Sequence, residues 1–282
     1  MTPVRVLGIH HPSPLPGFRL AFGVMMTMLS IVVLIPIGAL ILRGAGIGPD
    51  EIRRVVDTPR VWAALWLSFS VAFFAALFNL VFGLALAWVL TRYEFPLRRL
   101  VDATVDLPFA LPTAVAGIAL TALYAPNGAF GQLLAPLGIK VAYTQLGIWV
   151  ALVFIGLPFV VRTVQPVIEE IEHEVEEVSA TLGANRARTF LRVILPTLTP
   201  ALLTGFALAL ARGVGEYGSV IFIAGNLPGL TEIAPLLIVI RLEEFDYDAA
   251  TAIALAMLAI SFLMLLAINL IQVWSRRRLG ND

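Results

Sequence analysis

The chain has 282 residues, 59% of them hydrophobic and only 13% charged, with a formal net charge of +0 and a mean hydropathy of +0.92. A soluble domain carries about 25% charged residues, mostly on its surface, so this chain has too little charge to coat a water-facing exterior, and much of its surface must face lipid. The absence of cysteine excludes disulfide and thiol chemistry, and His10, His11 and His173 stand in no metal-ligand spacing.

A helix that crosses a bilayer needs about 20 mostly apolar residues. Six such stretches occur, at about 18–42, 62–90, 103–124, 145–166, 198–224 and 249–273, which predicts an all-α, polytopic membrane protein. The first is longer than a signal-peptide core and lacks a convincing cleavage site, so it reads as a retained span. Residues 1–17, with Pro3, Pro12, Pro14 and Pro16, read as an irregular tail, 18–275 as one membrane domain, and 276–282 as a second tail.

Orientation follows from the basic residues. With the N-terminus in the cytoplasm, Arg5, Arg19, Arg92, Arg98, Arg99, Arg162, Arg186, Arg188, Arg192, Arg276, Arg277 and Arg278 lie inside. Arg43, Arg53, Arg54, Arg60, Lys140 and Arg241 lie outside. The excess favours two cytoplasmic termini. The dissenting stretch 50–60, where arginines alternate with Asp50, Glu51 and Asp57, is expected to form a short external helix.

The connection at about 167–197 is long and charged. Ile168, Ile171, Val175, Val178 and Leu182 recur at spacings of three and four, one stripe of an amphipathic helix. Glu169, Glu170, Glu172, Glu174, Glu176 and Glu177 occupy the other face. Gly183 is expected to end this helix. Asn185 is expected to cap a second one, with Ala187, Phe190, Leu191 and Ile194 on one side and Arg186, Arg188 and Arg192 on the other. Pro196 is expected to turn the chain into the fifth span. An interfacial helix pair on lipid is one reading, although the glutamates suit an anionic inner leaflet badly.

In this loop Glu177-Val178-Ser179, three residues, Gly183, nine residues and Val193-Ile194-Leu195-Pro196 resemble the EAA loop of ABC importer permeases, Glu-Ala-Ala, three residues, Gly, nine residues, Ile-x-Leu-Pro. Val178, Ser179 and Val193 depart from that pattern. The resemblance implies a type I ABC importer permease fold. In that fold the loop is a coupling helix on a cytoplasmic ATPase, which assigns Glu177, Ala180, Gly183, Ala184, Arg188, Leu195 and Pro196 to coupling.

Leu107-Pro108-Phe109-Ala110-Leu111-Pro112, Tyr124-Ala125-Pro126-Asn127-Gly128, Gly213-Val214-Gly215-Glu216-Tyr217-Gly218 and Ala224-Gly225-Asn226 are similar to the sulfate and thiosulfate permeases, with molybdate permeases as nearest relatives. This implies sulfate or thiosulfate import across a bacterial inner membrane by alternating access. The implied partners are a second, different permease chain, two copies of an ATPase that bind ATP and Mg, and an external sulfate-binding protein. No cofactor in this chain and no nucleic acid are implied. A homodimeric molybdate or tungstate permease is the alternative. The chain has no GxxxxGK[ST] loop, so ATP hydrolysis would belong to partners.

Ionisable residues inside spans are costly and usually functional. Arg212 and Glu216, four residues apart in the fifth span, would share one helix face. Two readings stand. In one, Arg212 lines the translocation path and offers positive potential to a dianion, while Glu216 keeps the anion from staying bound; in the other they form a structural ion pair. Gly205, Gly213, Gly215 and Gly218 permit close helix contact or bending. Pro108 and Pro112 open the third span and predict a kink, as candidate gate elements. Asn79 reads as a hydrogen bond between helices, and Asp106 as a helix start or a transport residue. Two further classes fit less well. An intramembrane enzyme needs a nucleophile and base or a metal site, but the spans lack histidine and cysteine, and Ser68 and Ser70 have no evident base. A secondary transporter often shows internal repeats, and none is evident.

Overall fold

The computed structural model describes residues 18–279, apart from the side chains of Arg19, His173 and 274–279. The expected tail 1–17 with Arg5, His10 and His11, and the side chains of Arg19 and Arg276 to Arg278, lie outside the described residues. The described chain is all-α, without a strand. Its six helices long and apolar enough to cross a membrane are Leu20–Ile47, Pro59–Arg92, Thr113–Leu137, Gln145–Glu170, Arg186–Val214 and Tyr247–Val273. The chain divides at Pro49 into two units.

The first unit holds α1 (Phe18–Leu29), a π-helical turn at Ser30–Leu34 and α2 (Ile35–Ile47). Pro36 explains the wide turn. Proline has no N–H and its ring collides with the carbonyl four residues back; a π turn opens the backbone there. The same spacing recurs at the start of the fifth span, where a π turn at Phe190–Ile194 precedes Leu195 and Pro196. Pro196 therefore does not turn the chain, as expected from sequence: the helix runs on from Arg186 to Val214.

The second unit contains α3 (Pro49–Val56), the short charged helix foreseen at 50–60, then α4 (Pro59–Arg92), α5 (Arg98–Val105), α6 (Leu107–Ala110), α7 (Thr113–Tyr124) and α8 (Ala129–Leu134). It continues with α9 (Gln145–Glu170), α10 (His173–Thr181), α11 (Arg186–Thr189), α12 (Leu195–Val214), α13 (Val220–Ile223), α14 (Ala234–Glu243) and α15 (Tyr247–Leu279).

Helices α4, α9 and α12 form the core. Asn79 Nδ2 donates to the Val153 carbonyl (3.1 Å), the interhelical bond foreseen, and Arg92 Nη2 donates to Ile171 O (2.8 Å), so α4 and α9 run parallel. Gly205 faces Val160 and Gly213 faces Leu152 and Ala72, so α12 runs antiparallel to both. Ala72, Ala75 and Ala76 of α4, Ile148 and Ala151 of α9, and Ala209 and Leu210 of α12 are buried in this seam. Small residues let helix backbones approach, which matters in lipid, where packing rather than water exclusion drives association. Trp66, Phe74 and Val81 point outward from α4 and are exposed.

Three further expectations need correction. The third span, expected at 103–124 with a kink, is broken rather than kinked, because Pro112 forces Leu111 into extended geometry (φ −84°, ψ 134°) and α7 starts only at Thr113. The fifth span, expected to reach residue 224, ends at Val214; Gly215 terminates it, and Glu216 to Ser219 form an irregular link to α13. The expected single stripe from Ile168 to Leu182 is divided, because Ile171 and Glu172 are extended (ψ 111° and 141°) between α9 and α10. The short helix α14 is an element the sequence reading missed.

Candidate translocation path and coupling loop

Gly215 caps α12 and leaves Glu216 just beyond the helix end, 3% exposed. One carboxylate oxygen, Oε1, accepts from Ser219 N (2.8 Å) and Ser219 Oγ (2.9 Å), capping the turn that leads into α13. The other, Oε2, pairs with Arg212 Nη1 at 2.5 Å. The expected pair therefore forms, with Glu216 beyond the helix end rather than on its face. The Arg212 side chain is 35% exposed, and Glu216 is its one ionic partner among the described residues. A Cβ on Gly213 would stand in ordinary contact with Ala72 Cβ at 3.4 Å, and one on Gly215 would meet nothing nearer than Ala211 O at 3.9 Å.

The break in the third span meets this one. A Cβ on Gly117 would run into the backbone of Ser219, and one on Gly218 would run into Thr113 Oγ1. Pro112, which caps α7, thus stands beside the link that holds Glu216. Pro108 lies within α6, and the neighbouring Phe109 stacks edge-on against Phe159 of α9 at 5.1 Å.

One cluster escaped the sequence reading. Arg162 of α9 donates through Nε to Asp106 Oδ1 (2.8 Å), through Nη1 to Asp102 Oδ1 (2.6 Å) and Gln165 Oε1 (2.7 Å), and through Nη2 to Asp106 Oδ2 (2.7 Å) and the Asp102 carbonyl (2.9 Å). A guanidinium has five N–H donors, and all five are used. Asp106 thus makes no side-chain cap, and each of its carboxylate oxygens accepts from Arg162. The available signal was an arginine inside an apolar span with two acids, four residues apart, just before the neighbouring break.

At the other ends of α4 and α9, Arg60 forks onto Glu232 (2.8 and 2.7 Å), a carboxylate 1% exposed. Ser68 Oγ accepts from Ala234 N (2.8 Å), so this buried serine satisfies the start of α14. The run from Ala125 to Gly128 is a tight turn closed by Gly128 N to Ala125 O (2.7 Å). Gly225 and Asn226 take positive φ (77° and 56°), with Asn226 Nδ2 closing back on Ile221 O (2.8 Å).

In the loop between α9 and α12, the candidate coupling loop, α10 ends as foreseen. Gly183 adopts φ +82°, Gly183 N bonds Ala180 O (3.0 Å) and Ala184 N bonds Ser179 O (3.0 Å), the two bonds of a Schellman termination. Asn185 Oδ1 accepts from Arg188 N (2.8 Å), the expected cap. Glu177, Ala180, Gly183 and Arg188 are exposed, whereas Ala184, Leu195 and Pro196 are half-buried, the last two at the foot of α12. Val178 and Leu182 are 57% and 82% exposed. A groove of about 640 Å³ lies between the end of α4 and this loop, lined by Trp88, Glu176, Glu177, Ala180, Ala184 and Phe190.

Residues 79–281 match the family of binding-protein-dependent transport system inner membrane components. The chain belongs to that family. It is therefore a transport subunit, not an enzyme. The sulfate transport system permease protein CysT of Salmonella typhimurium is 50% identical over 277 residues, covering 98% of this chain and 100% of the relative. The protein of the same name from Synechocystis is 48% identical over 249 residues, covering 88% and 87%. Among solved structures, a bacterial ABC transporter that imports alginate aligns at TM-score 0.74 over 93% of this chain and 96% of its own, with 17% identity. The MetNI methionine ABC transporter aligns at 0.57 over 78% and 99%, with 20% identity. The fold is that of an ABC importer permease, as the sequence motifs implied.

Proposed function

We propose that this chain is one half of the membrane channel of an ATP-driven sulfate importer in a bacterial inner membrane, with both termini cytoplasmic. Near-end-to-end identity to sulfate permeases supports the substrate. The second half is a different permease chain; an external binding protein delivers the anion, and two copies of an ATPase, with ATP and Mg, dock on the loop around Glu177, Ala180, Gly183 and Arg188.

The observation that carries the path is the contrast between two arginines. Among the described residues Arg212 has one ionic partner and an exposed edge, which leaves it N–H donors to meet an oxyanion; Arg162 has none to spare. Glu216 is fixed by Ser219 and offsets the charge of Arg212, so an anion there is held weakly enough to leave. The half-helix α7 after Pro112, which touches this link through Gly117, is the adjoining gate element.

The test is gentle-detergent purification of the tagged chain from its native membrane, followed by reconstitution with the binding protein. The expected result is an ATPase, a second six-span chain of different sequence, and ATP-dependent uptake of labelled sulfate. Co-purification with an ATPase alone, and uptake of molybdate in preference to sulfate, supports the homodimeric alternative. Sulfate uptake without ATP overturns the importer reading.

A further inference from the structure

We infer that Arg92 is the positioning residue through which the coupling loop grips α4, so that motion of the loop is delivered to α4 rather than only to α9 and α12, the helices it joins in sequence. The inference rests on the coupling role proposed above for the loop.

The geometry begins with the break at Ile171 and Glu172. Helical bonding stops there, and extended backbone cannot carry a push along the axis as a continuous helix does. The break leaves the carbonyls at the end of α9 without helical partners. Arg92, the last residue of α4, fills one of these vacancies by donating through Nη2 to Ile171 O at 2.8 Å. Its guanidinium also faces the Glu176 carboxylate of α10 at 3.4 Å, and its side chain is only 9% exposed. The guanidinium lies 5.5 Å from the centre of the Trp88 ring, and Trp88 meets Phe190 edge-on at 5.6 Å.

Phe190 belongs to the far side of the loop. One turn of α4 therefore holds the loop at three points: the break, the middle of α10, and the π turn that leads into α12. The rest of α10 is exposed at Glu174, Glu177, Val178 and Thr181. A charge-assisted grip at a part-buried site resists shear far better than exposed helix surface does. Since α4 packs along both α9 and α12 in the core, a displacement received at Arg92 reaches the whole bundle.

The experiment uses the assembled complex in liposomes with loaded binding protein, comparing the unmutated chain with Arg92→Met and Arg92→Lys. Methionine keeps much of the apolar stem and removes every donor. The expected result for Arg92→Met is wild-type recovery of ATPase on purification, continued ATP hydrolysis, and a fall of about tenfold or more in substrate moved per ATP. Arg92→Lys recovers part of that ratio, because an ammonium still reaches one acceptor. An unchanged ratio in Arg92→Met overturns the proposal, and so does loss of transport in strict proportion to loss of complex. A second measurement avoids any altered joint. The chain has no cysteine, so spin labels placed at Tyr93 and at Glu174, an exposed α10 position outside the docking residues, report one distance, which the proposal expects to stay the same with and without ATP. A nucleotide-dependent change in it overturns the proposal. Failure of the unmutated chain to bring down an ATPase refutes the importer reading itself, a result distinct from either.

Discussion

Arg162 and Arg212 both lie on helices that cross the membrane, and both pair with carboxylates, yet their surroundings are opposite. Arg162 is saturated: five donors meet five acceptors from Asp102, Asp106 and Gln165, and the two acids are 40% and 49% exposed. At the fifth-span break the acid is buried and the base is open, with Glu216 2% and Arg212 35% exposed at the side chain. A saturated guanidinium can only hold structure together. An unsaturated one beside a buried counter-charge has both the donors and the access to meet a passing anion. The proposed division between clamp and path thus rests on unused donors, which sequence does not display.

The largest expected effect comes from Arg212→Gln. Sulfate uptake should fall by about 100-fold, because a charged, partly open donor set is lost and the buried Glu216 is left without its counter-ion, a situation that costs about 3–5 kcal/mol. The double variant Arg212→Gln with Glu216→Gln removes that cost, so assembled complex should return to wild-type amounts on a native gel while uptake stays low. Recovery of uptake in the double variant would break the comparison and make the pair purely structural.

Glu216→Gln alone should be milder. The amide oxygen can still accept from Ser219 N and Oγ, so the turn into α13 survives, while the amide nitrogen, a donor, now faces Arg212 Nη1 and turns that partly exposed side chain outward. The charge that offsets Arg212 is gone, and an anion that meets it should leave more slowly. Turnover should drop about tenfold, equivalent to about 1.4 kcal/mol on the release step. Pre-steady-state uptake of labelled sulfate checks this: the first turnover should be preserved and later ones slowed.

Much of the fold was legible because spans are read from length and hydropathy, and the helix, glycine turn and second helix before the fifth span from helix-ending chemistry. Gly183 and Asn185 announced their roles, and the structure places both as expected. The breaks were less legible. Pro112 signalled a kink, but a true break needed Leu111 to go extended and Gly117 to let Ser219 in, and no local rule pairs residues about 100 positions apart. Arg162 with Asp102 and Asp106, Arg60 with Glu232, and Arg92 with Ile171 escaped for the same reason. Each partner lies on a different element, and each residue alone resembles an ordinary loop or end-of-span charge. Pro196 misled because the same ring that stops a regular helix is accommodated by a π turn.

Arg162→Met tests the clamp side of the comparison. It leaves Asp102 and Asp106 facing each other without a cation, and the segment from α5 to α6 loses its tie to α9. The acids are partly solvated, so the loss is discounted for screening to about 1–3 kcal/mol of stability. Thermal unfolding in detergent should shift down by a few degrees, and less complex should be recovered. Uptake per assembled complex should stay near wild type, in contrast to Arg212→Gln.

Asp102→Asn should give the smallest effect and is for that reason the sharpest check on the count of donors and acceptors. The amide oxygen can still accept from Arg162 Nη1, and the Asp102 carbonyl that meets Nη2 is backbone and does not change. Only the charge is removed, at a side chain 40% exposed that faces a guanidinium 29% exposed. Exposed pairs of this kind contribute about 0.2–1 kcal/mol, so unfolding should barely move and uptake should be unaltered. Asp106→Asn should cost more, because Asp106 receives both Nε and Nη2 in a fork, and one amide nitrogen would face a donor. If the two variants destabilise equally, charge alone holds the cluster, and the saturation of Arg162 no longer distinguishes it from Arg212.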